Sequence, residues 1–146
     1  MSNQLILVLN CGSSSLKGAV IDRKNGKVLL SCLGERLGTP EAVITFSKDG
    51  KKCQTALTGR NDHAGAVGML LKELEKHGLH DRIKAIGHRI AHGGEKYSES
   101  VLIDQAVMDE LNACIPLAPL HNPANINGIL AAQEHFPGLP NVGVMD

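Results

Sequence analysis

Three short stretches of this sequence bring together side chains suited to gripping small anions. In Asn10-Cys11-Gly12-Ser13-Ser14-Ser15-Leu16-Lys17, a glycine permits a turn that aims consecutive backbone N–H groups at one point, serine hydroxyls add neutral donors, and a lysine adds charge. Those are the parts of a phosphate cradle. It is not a Walker A loop: the G-x-x-x-x-G-K-[ST] spacing is absent, and the residues that follow read as a strand, where a P-loop must open a helix. Taken alone, the stretch would also suit an ordinary polar hairpin.

The second stretch, Gly87-His88-Arg89-Ile90-Ala91-His92-Gly93-Gly94-Glu95, lies at the C-terminal end of an expected strand. Its chemical centre is Arg89, whose planar, permanently charged guanidinium suits bidentate binding of a carboxylate or a transferring phosphoryl group. His88 and His92 stand four apart, as helical zinc ligands do, but the segment reads as strand and no H-E-x-x-H surrounds them, so structural roles are expected of both. In the third stretch, Ala118-Pro119-Leu120-His121-Asn122-Pro123-Ala124-Asn125, His121 immediately precedes an expected helix N-terminus, where unpaired N–H groups and the positive end of the helix dipole gather. A histidine there can hydrogen-bond an anion or a developing phosphoryl charge. Capping and turn geometry would explain the segment equally well.

Holding these residues requires a sheet with helices against it. Residues 5–9, LILVL, form a short branched apolar run, the pattern of a central strand buried on both faces. LKGAVID and KVLLSCL read as two further strands joined at Asn25-Gly26, a strong hairpin signal. Weaker strands are expected at 42–47 and 53–57. A helix follows at 62–77, with Ala66, Met69, Leu70 and Leu74 on one face and Gly78 as its C-terminal stop. A strand at 83–90 leads into His92-Gly93-Gly94, and a helix is expected near 104–113. In the next helix Asn122 can cap, Pro123 fits the first position, and Ile126, Ile129 and Leu130 recur on one face before Phe136-Pro137-Gly138. A last strand covers 142–145. This order predicts an α/β domain with a mixed sheet.

The 146 residues suffice for one core, and 15 basic residues balance 15 acidic ones. With interspersed charge and so few aromatics, neither nucleic acid nor an anionic membrane is an expected partner. No stretch approaches a membrane span and the N-terminus lacks the form of a secretory signal, so a cytoplasmic location is expected. The cysteines at 11, 32, 53 and 114 form no Cys-x-x-Cys pair and read as reduced thiols.

Taken together and in order, NCGSSSLK, GHRIAHGGE and APLHNPAN, closing with VGVMD, resemble the N-terminal motifs of acetate kinases, over residues 5–146. The resemblance implies a ribonuclease H-like three-layer domain, the first lobe of the actin-like ATPase fold. It implies reversible phosphoryl transfer from ATP to acetate, giving ADP and acetyl phosphate, with Mg²⁺ or, in its place, Mn²⁺. By motif position, Asn10 would help hold the metal and Lys17, with Ser13 and Ser15, would lie near the ATP phosphates. Arg89 would bind the acetate oxygens, Ala91 and Leu120 would line the substrate pocket, and His121 would lie beside the transferring phosphoryl group. Asp146 matches the family's active-site aspartate. Because the chain closes on that residue, 1–146 is expected to be the N-terminal lobe of a two-lobed kinase, truncated at its C-terminal end, lacking its second lobe and inactive by itself. The full-length protein is expected to be a homodimer.

Two departures matter. Gly18 stands where the family usually has a bulky residue after the motif lysine, and Ala91 replaces a branched residue that helps line the pocket for the substrate methyl. The smaller side chain leaves room for another carbon, so measurable propionate activity is expected. Alternatives are a propionate or butyrate kinase of the same superfamily, or a non-catalytic nucleotide- or phosphate-binding module.

Overall fold

The computed structural model describes residues 4–90, 100–113, 115–117 and 122–145. Among them the chain forms β1 (Leu5–Cys11), β2 (Leu16–Asp22), β3 (Val28–Glu35), β4 (Val43–Lys48), β5 (Lys51–Ala56), α1 (His63–Lys76), β6 (Ile83–Ile90), β7 (Val101–Leu102), α2 (Gln105–Ala113), α3 (Asn122–His135) and β8 (Asn141–Met145). The strands make one mixed sheet in the order β5-β4-β3-β2-β1-β6-β8-β7. β1 runs parallel to β6 and β6 parallel to β8; every other pairing is antiparallel. The expected mixed sheet with helices against it is therefore present, with β1 at its centre.

Alternation along β1 decides which face the helices cover. Leu5, Leu7, Leu9 and Cys11 are buried, and with Leu16, Val20, Leu30, Ile44 and Ile86 they form the core under Leu70 and Leu74 of α1 and Ala132 of α3. Ile6 and Val8 are only half-buried, because no described helix lies over their face. α2 adds a second cluster on the same side, where Val107, Met108 and Leu111 meet Ile126, Ile129 and Ile90.

Local chemistry sets the ends of α1. Oδ1 of Asp62 accepts the Gly65 N–H at 2.9 Å, a side-chain cap. At the other end Gly78 takes φ 68°, with Leu79 N–H donating to Leu74 O and Gly78 N–H to Glu75 O, the paired bonds of a Schellman stop. Leu130 departs from the expected apolar face of α3: it is 49% exposed, whereas Ala124, Ile126, Ile129, Ala131 and Ala132 are buried. α3 touches the sheet on one side, α1 on another and α2 on a third, so its buried positions run round the helix instead of along one stripe. β7 has no sequence signal, being two residues recruited by antiparallel pairing to β8.

Gly18 faces the helices and pairs with Cys32 across β2 and β3. A Cβ at position 18 would lie 2.9 Å from the Cys32 Sγ and 3.4 Å from a Leu9 methyl. Cys32 thus occupies the space that a larger residue after the motif lysine would need.

Candidate functional site

Residues Gly12–Ser15 close the hairpin between β1 and β2, whose register sets Asn10 opposite Lys17 and Cys11 opposite Leu16. The loop is tied down from several elements. Gly12 N–H donates to Ser15 O at 3.0 Å, Leu37 N–H to Ser14 O at 2.9 Å, and Asn125 Nδ2 of α3 to Cys11 O at 3.2 Å. His63, the first residue of α1, places its Nε2 2.7 Å from Gly12 O and 3.1 Å from Ser15 O. Ser13 and Ser14 are exposed and Ser15 half-buried.

Register extends this site across four strands. Val8 pairs with Gly87 in the parallel β1–β6 ladder, so Asn10 and Arg89, each two residues on, share a face and a level; Arg89 in turn pairs with Val144. Lys17, Asn10, Arg89 and Val144 therefore form one row on the face away from the helices. Neighbouring strands lie about 4.8 Å apart, so the Lys17 and Arg89 backbones are about 10 Å apart with Asn10 between them. Lys17 and Arg89 are both exposed, and two long cationic side chains at that separation span a phosphate-sized anion. Lys17 also borders a shallow groove of about 470 Å³ edged by Ser31, Glu35, Thr45, Ser47 and Lys52.

Immediately behind Arg89, His88 points to the opposite face and is 3% exposed. Burial pushes its pKa below the ordinary histidine value. Its Nε2 lies 2.8 Å from Asn141 Oδ1, while Asn141 Nδ2 donates to Leu139 O at 3.1 Å. The amide nitrogen is thereby committed as a donor, so Nε2–H of His88 donates to the oxygen and ties β6 to β8. The structural role expected of His88 is met by this bond; His92 lies outside the described residues.

Of the residues expected at the site, Asn10, Ser13, Ser15, Lys17 and Arg89 converge on one end of the sheet. Ala91, Leu120, His121 and Asp146 lie outside the described residues. Among the described residues no three His, Cys, Asp or Glu side chains gather as a metal site. Mg²⁺ keeps several waters and takes few protein oxygens beside substrate phosphates, and the half-buried Asn10 amide is an oxygen donor of that kind.

The sequence profile of the Acetokinase family matches residues 5–146. The chain belongs to that family. Acetate kinase 2 of Neisseria meningitidis serogroup B is 90% identical over 146 residues, 100% of this chain and 37% of that protein. Among solved structures, a propionate kinase from Francisella tularensis superposes with a TM-score of 0.92 at 41% identity, over 98% of this chain and 37% of its own. Porphyromonas gingivalis acetate kinase gives 0.91 at 40%, with the same coverage. The chain spans 37% of the length of these relatives. For this acetokinase-family chain the likeness extends to the fold, that of acetate and propionate kinases.

Three residues at the site carry no role in the motif reading. Asn125 falls within the third motif, and Asn141 opens β8. His63 had a visible signal: it heads the helical stripe His63, Ala66, Val67, Leu70, Leu74, all buried. A polar residue leading an apolar stripe needs a buried partner.

Proposed function

We propose that this chain forms the anion-binding half of an acetate kinase, which transfers the γ-phosphoryl group of ATP reversibly to acetate, giving acetyl phosphate and ADP. The observation that carries this reading is the row of Lys17, Asn10 and Arg89 across neighbouring strands, beside a serine loop tied down from behind.

Acetate is already ionised at pH 7, so the reaction needs little proton removal. Its difficulty is bringing two anions together and spreading the charge of the transfer. Arg89 holds the carboxylate through paired N–H donors, and Lys17, Ser13 and Ser15 hold the ATP phosphates. One acetate oxygen attacks the γ-phosphorus in line as the bond to the β,γ-bridging oxygen breaks, and ADP keeps that oxygen. His121, next to the start of α3, donates to the transferring phosphoryl oxygens. Leu120 and Ala91 border the acetate methyl. Asn10 and Asp146 would hold Mg²⁺ or one of its waters, and Mn²⁺ would suit the same oxygen donors. The metal supplies neutralisation of the phosphate charge when bound.

Because the relatives are so much longer, we assign the complete reaction to the complete polypeptide, a cytoplasmic homodimer, and none to residues 1–146 alone. A propionate kinase is the second reading: the Francisella tularensis propionate kinase shares the fold at a TM-score of 0.92, beside 0.91 for the Porphyromonas gingivalis acetate kinase. The test is hydroxylamine trapping of acetyl phosphate with the full-length protein. Arg89→Ala should reduce kcat/KM for acetate at least about 100-fold, in line with loss of a charged transition-state contact. ATP binding that persists, with every activity untouched by Arg89→Ala, would point to a non-catalytic nucleotide-binding module.

A further inference from the structure

The loop Gly12–Ser15 is a set of rigid peptide planes, and His63 fixes one of them. All described peptide bonds are trans, so each carbonyl and the N–H of the next residue point in opposite directions. Gly12 O is drawn toward His63 Nε2 at 2.7 Å, so the Ser13 N–H is turned the other way, out of the protein. Ser13 is exposed and, among the described residues, its N–H has no acceptor. Ser14 O accepts the Leu37 N–H, which turns the Ser15 N–H away from Leu37 in the same manner.

The bond to His63 has a definite polarity. Its Nε2 faces two carbonyl oxygens, of Gly12 and Ser15, and both can only accept. Nε2 therefore carries the proton and donates to both. The ring is 8% exposed, so water competes little for these bonds. Asp62 caps α1 and holds its first residue in place, while Ala66 and Val67, one turn on, are fully buried in the core. The ring is thus anchored to a capped helix seated on the core.

We propose that His63 is a positioning residue for the nucleotide: by holding the Gly12 carbonyl back, it aims the Ser13 N–H at a phosphate oxygen of ATP. This rests on the reading of residues 12–15 as the ATP-phosphate cradle. The loop amide acts as a directed dipole only while its peptide plane is fixed, and the plane is fixed by an N–H donor reaching from beneath. Glutamine can present its amide nitrogen where Nε2 stands; asparagine reaches only as far as Nδ1.

The experiment compares full-length wild type with His63→Leu, His63→Asn and His63→Gln. It reads KM for ATP, KM for acetate, thermal melting, and calorimetric binding of the non-hydrolysable adenosine imidotriphosphate. His63→Leu and His63→Asn should raise KM for ATP and weaken analogue binding by about tenfold, with KM for acetate within twofold of wild type; His63→Gln should restore both to within about threefold. If wild type binds the analogue but fails to phosphorylate acetate, the acetate reading falls, and the same order of analogue affinities still upholds the role of His63. A folded His63→Asn that binds the analogue as tightly as wild type overturns the proposal. So does a loss shared equally by all three variants and by both substrates, which would mark His63 as structural only. A wild type that binds no analogue overturns both readings.

Discussion

Nε2 of His88 lies 2.8 Å from Oδ1 of Asn141, joining β6 to β8 through a bond that is buried at both ends. The two strands also carry Arg89 and Val144 side by side on the opposite face. Removing the acceptor should therefore loosen the support of Arg89. Asn141→Leu leaves a buried N–H without a partner, which costs about 1–3 kcal/mol. Chemical denaturation should show a midpoint shift of that size, and a wild-type midpoint would mean that the bond contributes nothing.

The same histidine makes stability fall in mild acid. Burial lowers its pKa in the folded state below the ordinary 6.5, so the unfolded chain takes up a proton first. The contribution of neutral His88 is complete above about pH 6.5 and is lost as pH falls through that value toward the folded pKa. Melting temperatures of wild type and His88→Gln, compared between pH 7.5 and 5, should converge toward the acid end. Parallel curves would exclude His88 as the titrating group.

Gly18 and Cys32 should behave as a coupled pair. A Cβ at position 18 meets the Cys32 Sγ at 2.9 Å, so Gly18→Ala overpacks the β2–β3 contact and should cost about 1–3 kcal/mol. Cys32→Ala opens a space there. In a double-mutant cycle the combined loss should be smaller than the sum of the single losses by at least about 0.5 kcal/mol. Simple additivity would show that the sulfur is not what excludes a side chain at position 18.

Much of this architecture is legible in single elements and little of it in their mutual register. LILVL marks a central strand and Asn25-Gly26 marks a hairpin because both are local signals, and the α1 stripe with Gly78 is local too. The half-exposure of Ile6 and Val8 depends on which face the helices choose, which no run of apolar residues reveals. Leu130 fits an apolar stripe yet faces outward, because α3 is enclosed by three neighbours and its buried positions obey no single stripe. The motif letters identify Asn10, Lys17 and Arg89 separately. Their alignment in one row needs the β1–β2 and β1–β6 registers, set by loop length and by packing remote in sequence. The buried partners of His63 and His88 are 51 and 53 residues away, beyond any local pattern.

The cysteines should divide sharply by reactivity. Burial pushes the thiols of Cys11 and Cys32 up to about 12 from an ordinary 9.0, whereas Cys53 is exposed on β5. A thiolate is the reacting form, so at pH 8 Cys53 should be alkylated by iodoacetamide in the native protein and Cys11 and Cys32 only after unfolding. Peptide mass spectrometry of the labelled sites reads this directly. Because the folded pKa values are raised, the contribution of the two buried thiols is full below pH 9.0 and declines as pH climbs toward 12, so wild type should lose more stability over that range than Cys11→Ala/Cys32→Ala.

Substrate preference supplies the last test, and in the proposed reading it turns on the smallness of Ala91. One methylene in an apolar pocket is worth about 1–3 kcal/mol, equivalent to about 10- to 200-fold in kcat/KM. If Ala91 leaves room for the extra carbon, propionate should be phosphorylated by the full-length protein with kcat/KM within about 200-fold of acetate. Ala91→Val should then depress the propionate value more than the acetate value, because the added methyls fill the space the longer substrate would take. Robust acetate turnover with no detectable propionate turnover would mean that another side chain closes the pocket and that residue 91 does not set its depth.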